Sequence, residues 1–91
     1  MTYNGWTNYP TWNAALWIDN DEGLYNQRLE LTNQADSIHT LSNTLKDWFE
    51  EIFPLPENGP LADIAGWAYS EINWHELAEH YWDERTEEVE A

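Results

Sequence analysis

The large surplus of acidic side chains constrains the fold most, because these charges must lie at the surface of the folded chain. Eighteen Asp and Glu stand against three Lys and Arg, which gives a formal net charge of −15 over 91 residues. Yet 42% of the residues are hydrophobic and 15% are aromatic, a composition that a disordered acidic tail does not have. A chain of this length suffices for one core, so the charges must cover the outside of a single domain spanning 1–91, with a frayed tail at 85–91.

Several kinds of protein are excluded by the residue types that the chain lacks. There is no cysteine, so it has no disulfide framework and no thiolate nucleophile. Its apolar runs are too short to cross a bilayer, and its start, MTYNGWTNYP, is unlike a signal peptide, so we expect a cytoplasmic protein. So few cations cannot neutralise phosphates, which makes nucleic acid and anionic membranes poor partners and favours a basic protein.

The first third of the chain predicts two short helices. Pro10 suits the first turn of a helix that follows Asn8, and Asn20 suits its end. The apolar face of this first helix is expected at Trp12, Ala15 and Leu16. A second helix is predicted across residues 22–33, with Leu24, Arg28 and Leu31 on one face.

The middle of the chain gives the clearest helical pattern. Ser37, next to Asp36, is typical of a helix N-cap. The apolar residues that follow keep a 3.6-residue period for four turns: Ile38, Leu41, Leu45, Trp48, Phe49 and Ile52. Pro54 and Pro56 prevent this helix from continuing, and the stretch FPLPENGP is therefore expected to be a loop.

Two more helices are predicted after this loop. Pro60 opens the fourth, whose apolar stripe comprises Leu61, Ile64, Ala65, Ala68 and Ile72. Asn73 is expected to cap the fifth, with Glu76 completing a capping box. The apolar face of the fifth comprises Trp74, Leu77, Ala78, Tyr81 and Trp82. Since β-branched residues do not alternate with polar ones, we predict an all-α bundle of about five short helices with an aromatic-rich core.

The carboxylates form the candidate binding surface. The fifth helix repeats them every three or four residues outside its apolar face, at Glu76, Glu79, Asp83, Glu84, Glu87 and Glu88. Their spacing of about 4.5–6 Å along the axis is of the same order as the charge spacing on one DNA strand. Two shorter patches are expected to extend this surface, namely Asp19, Asp21 and Glu22 after the first helix and Asp47, Glu50 and Glu51 on the third. The alternative is an ordinary solvated face.

Two motifs resemble metal sites but depart from them. The segment HELAEH places His75 and His80 five positions apart, so they lie on different sides of a helix and cannot share one zinc ion. The sequence DNDEG at 19–23 is similar to the start of a calcium loop, but its glycine comes one residue too early. We therefore expect no metal, no cofactor and no enzymatic activity.

Aromatic residues occupy every third position near the start of the chain: Tyr3, Trp6, Tyr9 and Trp12. Leu, Ile and Val are scarce, so we expect these aromatic side chains to supply much of the buried area. The alternative is an exposed recognition patch, which would use the same residues to bind a partner.

Three blocks of sequence carry a resemblance. The segments YNGWTNYPTW at 3–12, LWIDNDEGLYN at 16–26 and INWHELAEHYWDE at 72–84 are similar to a family of small uncharacterised proteins from phages, plasmids and other mobile genomes. Pro10 stands where an acidic residue is expected in many members of that family. The resemblance implies a mobile-element setting and carries no known activity. In charge and size the chain also resembles acidic DNA mimics.

Charge and setting together predict an anti-defence inhibitor, of the anti-CRISPR or anti-restriction kind, in a host bacterial cell. Its carboxylates would cover the basic DNA-binding surface of a nucleoprotein complex, such as a CRISPR effector subunit or a restriction enzyme. A helical adaptor that docks through its aromatic residues is the main alternative, with acidity that serves solubility. Adaptation to high salt is a third interpretation of the same acidity.

Overall fold

The structure, a computed structural model, describes residues 3–90 of the chain, and side chains through residue 84. Its elements are five helices: α1 (Tyr9–Asn20), α2 (Glu22–Gln34), α3 (Ile38–Ile52), α4 (Pro60–Glu71) and α5 (Trp74–Glu90). Within the described range there is no strand, and one isolated bridge joins Tyr3 to Trp6. The all-α prediction is therefore confirmed. The expected tail at 85–91, with Glu87 and Glu88, lies outside the described side chains.

Polar side chains start the helices where the sequence predicts. Asn8 Oδ1 accepts a hydrogen bond from the backbone N–H of Thr11 at 3.0 Å, and this caps α1. Asp21 caps α2 and Ser37 caps α3 in the same manner. Each such cap satisfies an otherwise unpaired backbone donor and contributes about 1 kcal/mol. The helix boundaries thus follow from local chemistry.

The centre of the core lies between α3 and α5. Leu41, Leu45, Leu77 and Tyr81 are completely buried there. Near the end of α3, the ring of Phe49 lies 5.3 Å from that of Trp74 at the start of α5. The two helices therefore run antiparallel, and their predicted apolar faces are confirmed except at Ile52, which is exposed.

The buried face of α1 differs from the prediction. Leu16 is exposed and Trp12 is only half-buried, whereas Ala14 and Ile18 join the core. Thr11 is also completely buried, and its hydroxyl accepts a hydrogen bond from the backbone N–H of residue 73 at 2.8 Å. Because this polar residue has a buried partner, the helix turns Thr11 inward, so of the expected face only Ala15 is buried as predicted.

The start of the chain is tied to the junction between α4 and α5. The side-chain amide of Asn8 donates to the backbone carbonyl of Glu71 at 2.8 Å. The backbone N–H of Thr7 donates to Glu76 Oε1 at 3.1 Å. Glu76 donates its own N–H to Asn73 Oδ1 at 3.0 Å, so Asn73 caps α5 as predicted, although the Glu76 carboxylate binds Thr7 instead of closing a capping box.

The N-terminal aromatic residues do not anchor the core, contrary to expectation. Tyr3 and Tyr9 are about half exposed, and their rings lie edge-to-face at 5.4 Å on the surface. Asn4 and Gly5 adopt positive φ angles of 49° and 93°, which form a tight turn that folds Tyr3 back towards Trp6. Tyr3, Tyr9 and Trp12 pack against each other, and Trp6 is the exception, since it is half-buried and packs against the core.

Helix α4 is the largest departure from the predicted packing. Its stripe was expected to enter the core, yet none of its residues is buried. Leu61 is 71% exposed, and Ile64 and Trp67 are each 63% exposed. Tyr69 fixes the end of the helix by donating its hydroxyl to the backbone carbonyl of Phe53 at 2.7 Å. Held there, α4 leaves its apolar side chains at the surface.

Candidate functional site

The predicted acids of α1 and α5 meet around the buried side chain of Arg28. Its terminal nitrogens lie 3.6 Å from Asp19 Oδ1 and 3.2 Å from Glu84 Oε2. Arg28 is 2% exposed, whereas the side chains of Asp19 and Glu84 are 41% and 44% exposed. One positive charge therefore lies beneath two carboxylates, and the surface above it keeps a net negative charge.

Aromatic rings hold Arg28 in this position. The guanidinium carbon lies 4.0 Å from the ring centroid of Tyr81 and 5.0 Å from that of Tyr25, both distances typical of cation–π contacts. The Tyr81 hydroxyl donates to Asp19 Oδ1 at 3.4 Å. Burial, and then the nearby Asp19 carboxylate, raise the pKa of Tyr81 well above its ordinary value, so this hydroxyl remains a donor.

A small cleft between Asp19 and Glu76 extends this acidic surface along α5. Asp19 and Glu76 border a small cleft of about 370 Å³, together with Trp6 and His80. The Trp6 ring packs against His80 with 5.1 Å between ring centroids, and this closes one side of the cleft. We call the three carboxylates that α1 and α5 bring together here, Asp19, Glu76 and Glu84, the acidic seam.

The predicted acids of α3 lie near the start of α5, away from Glu84. Asp47, Glu50 and Glu51 flank Phe49, which contacts Trp74 at the start of α5. About 15 Å of helix axis separates Trp74 from Glu84. The structure therefore brings Asp19 and Glu84 together at Arg28, and it places the acids of α3 near the start of α5, the end that also carries Glu76.

The remaining predicted site residues fall into two kinds. Asp21 serves as the cap of α2, and Glu79 lies 3.5 Å from His75 one turn earlier on α5. Glu22 and Asp83 are exposed. The first two contribute to local structure, and all four add negative charge on α5 and at the start of α2.

The basic side chains do little to offset this charge. Lys46 Nζ lies 3.3 Å from Glu50 Oε2 on α3, and Arg28 is enclosed by Asp19 and Glu84. Arg85 lies beyond the described side chains. Over residues 3–84, every Lys or Arg thus has a carboxylate partner, and the exposed carboxylates outnumber the exposed cations.

An apolar groove between α1, α3 and α4 was not predicted from the sequence. It has a volume of about 660 Å³ and is lined mainly by aromatic and aliphatic side chains, including Tyr9, Trp17, Phe49, Ile64, Trp67 and Tyr69. The signal was present in α4, where Trp67 falls beside the predicted stripe and makes the apolar surface wider than one neighbouring helix can cover.

Fold and surface together define a small, acidic, all-α protein. The chain belongs to a family of unknown function, DUF7249, whose model matches residues 1–89. No curated protein and no solved structure matches it. None of the described helices combines the length and the apolar character that crossing a membrane requires.

Proposed function

We propose that this protein is a non-enzymatic anti-defence inhibitor that acts as a DNA mimic. Its carboxylates would occupy the basic DNA-binding surface of a host nucleoprotein complex, such as a CRISPR effector or a restriction enzyme, in the bacterial cytoplasm. The observation that carries the proposal is the placement of charge. Carboxylates of α1 and α5 meet at the acidic seam, while Arg28 is buried below it and Lys46 is paired elsewhere.

Electrostatics gives the proposed mechanism. A basic channel that binds DNA holds Lys and Arg side chains spaced to meet phosphates, and a row of carboxylates can displace those phosphates. Binding would release counterions from the partner and would weaken steeply as salt rises. The contacts at the acidic seam favour a rigid acidic surface, because Asp19 and Glu84 are both tied to Arg28.

The proposal is tested by competition against DNA. A candidate effector is titrated with the protein at increasing ionic strength, with a labelled DNA target present throughout. The protein should displace the DNA, and its affinity should fall as salt is added. Simultaneous binding of DNA and protein to one effector would contradict competitive mimicry.

Charge reversal locates the surface that acts. The variant Glu22→Lys/Glu79→Lys/Asp83→Lys changes exposed acids and leaves the contacts of Arg28 in place. We expect it to lose inhibition while its helicity, measured by circular dichroism, stays unchanged. A control with Glu30→Lys and Asp36→Lys reverses exposed acids outside the predicted surface and should retain most of the inhibition. Equal inhibition by both variants and the native chain would instead favour the adaptor function.

A further inference from the structure

The apolar groove between α1, α3 and α4 is held open by contacts at one end of α4. Tyr69 donates to the carbonyl of Phe53 at 2.7 Å, and Asn8 donates to the carbonyl of Glu71 at 2.8 Å. Both bonds engage the last turns of α4. The first turns carry Leu61 and Ile64, which are 71% and 63% exposed. Hydrogen bonds therefore fix the helix in a position that leaves its apolar residues uncovered.

The amount of exposed apolar surface at the groove is unusual for a protein that works alone. Trp17 on α1 and Trp67 on α4 are 58% and 63% exposed, and Tyr9 is 50% exposed. All three line the groove. Large aromatic side chains that are exposed together mark sites of protein recognition, because covering them with a partner removes apolar area from water.

The shape of the groove favours a helix as its occupant. Ile64 and Trp67 are three positions apart on α4 and face α1 across the groove, where Trp17 lies. Two helices that form the walls of an apolar groove bind the apolar face of a third through side chains repeated at three and four positions. A volume of about 660 Å³ is enough for several such side chains.

Charge decides what kind of helix can bind. The lining side chains include no Lys or Arg. Burial, and then the nearby Glu50 carboxylate, raise the pKa of Tyr69, so Glu50, which is paired with Lys46, lies close to one wall of the groove. Asp63 is exposed beside Ile64, and Glu51 is exposed on α3. A second copy of this chain carries the same net charge of −15 and would be repelled by the first.

We propose that the groove docks an amphipathic, basic helix of the partner protein. Its apolar side chains would fill the space between Trp17 and Trp67, and its Lys and Arg side chains would meet the exposed carboxylates of Glu51 and Asp63. The inference rests on the proposed function, in which the partner is a basic protein. The partner would then contact this protein at two surfaces, the carboxylates of the acidic surface and the apolar groove.

A designed peptide tests the groove directly. The probe is a labelled helix of about 18 residues, or five turns, with Leu along one face and Lys elsewhere. Its affinity for the whole chain is measured by fluorescence anisotropy. We expect Trp67→Ser and Ile64→Ser each to weaken binding about tenfold, because each removes an exposed anchor of the groove. Trp17→Ser tests the opposite wall and should weaken binding to a similar extent.

Three controls separate the groove from general attraction between opposite charges. Leu16→Ser changes an exposed apolar residue of α1 that does not line the groove, and it should leave the affinity unchanged. A peptide with the same composition but scrambled order should bind at least tenfold more weakly. A peptide with Glu in place of Lys should not bind. Circular dichroism of each variant checks that the chain remains folded.

The results that overturn the inference are specific. Native affinity in Trp67→Ser and Ile64→Ser would show that the peptide binds elsewhere. Equal binding of the Glu peptide would show that charge does not select the occupant. A dimer in sedimentation analysis that Trp67→Ser dissociates would assign the groove to a second copy. Failure of these peptide experiments leaves the DNA competition result unaffected, so the two proposals can fail separately.

Discussion

Helices α3 and α4 both carry apolar side chains along one side, but only those of α3 are buried by a neighbouring helix. Leu41 and Leu45 of α3 are completely buried against α5, whereas Leu61 and Ile64 of α4 are more than half exposed. The difference lies in their neighbours. Helix α3 packs along α5, and α4 is fixed at its last turns by polar contacts beside α1 and the end of α3. An apolar stripe stabilises the fold only where another element covers it.

The largest expected effect comes from removing a buried side chain of α3. Leu45→Ala should lower the free energy of unfolding by about 2–5 kcal/mol, because it removes buried methyl groups and leaves a cavity. Urea denaturation measures the change. The matched substitution Leu61→Ala on α4 should change the free energy by no more than about 0.5 kcal/mol, since this side chain is 71% exposed. Similar losses in both variants would remove the contrast between the two helices.

The second largest effect is expected at Arg28, the buried cation between α1 and α5. Arg28→Met keeps an unbranched side chain against Tyr81 but removes the charge between Asp19 and Glu84. We expect a loss of about 2 kcal/mol, mainly from the buried cation–π contact. The two carboxylates are partly exposed, so water limits the cost of their separation from a cation. A more stable variant in urea denaturation would contradict a stabilising role of Arg28.

High pH should weaken the same region through Tyr81. Its pKa is raised in the folded chain, so above pH 10 the unfolded chain loses this proton while the folded chain keeps it. The stabilisation is complete below pH 10 and falls by about 1.4 kcal/mol for each pH unit above it. Chemical denaturation at several pH values measures this slope. Tyr81→Phe should reduce the slope and remove the late-ionising part of the tyrosinate absorbance.

The smallest effect is expected at the attachment of α4. Tyr69→Phe removes the hydrogen bond to the Phe53 carbonyl and should cost about 1 kcal/mol. Hydrogen exchange by mass spectrometry should show faster exchange of the α4 amides, with little change in α3. Equal acceleration in both helices would mean that α4 unfolds together with the core.

Local sequence patterns predict the helices of this chain better than their packing. Asn8 and Ser37 cap helices where expected, because a cap depends on residues only three positions apart. The buried faces of α1 and α4 depend on distant partners. The burial of Thr11 rests on residues 71 and 73, so periodicity alone places Leu16 inward and misses this contact.

The candidate site also could be predicted in its local features but not in its packing. The acids could be identified from the sequence, and their density on α5 predicted a negatively charged surface. Their grouping could not be predicted, because it depends on Arg28 reaching both Asp19 and Glu84, and on α3 running antiparallel to α5. The groove was missed because a stripe of apolar residues on α4 was taken as part of the core.

The ties between the start of the chain and the junction of α4 and α5 have a consequence for synthesis. Thr7 and Asn8 bind residues 69 and 63 positions later in the sequence. At about 5–20 residues per second on the ribosome, these partners emerge several seconds after α1. We expect α1 to remain open to chaperones and proteases during that interval. Helix α1 leaves the ribosome before the other described helices, yet it is among the last of them to be secured.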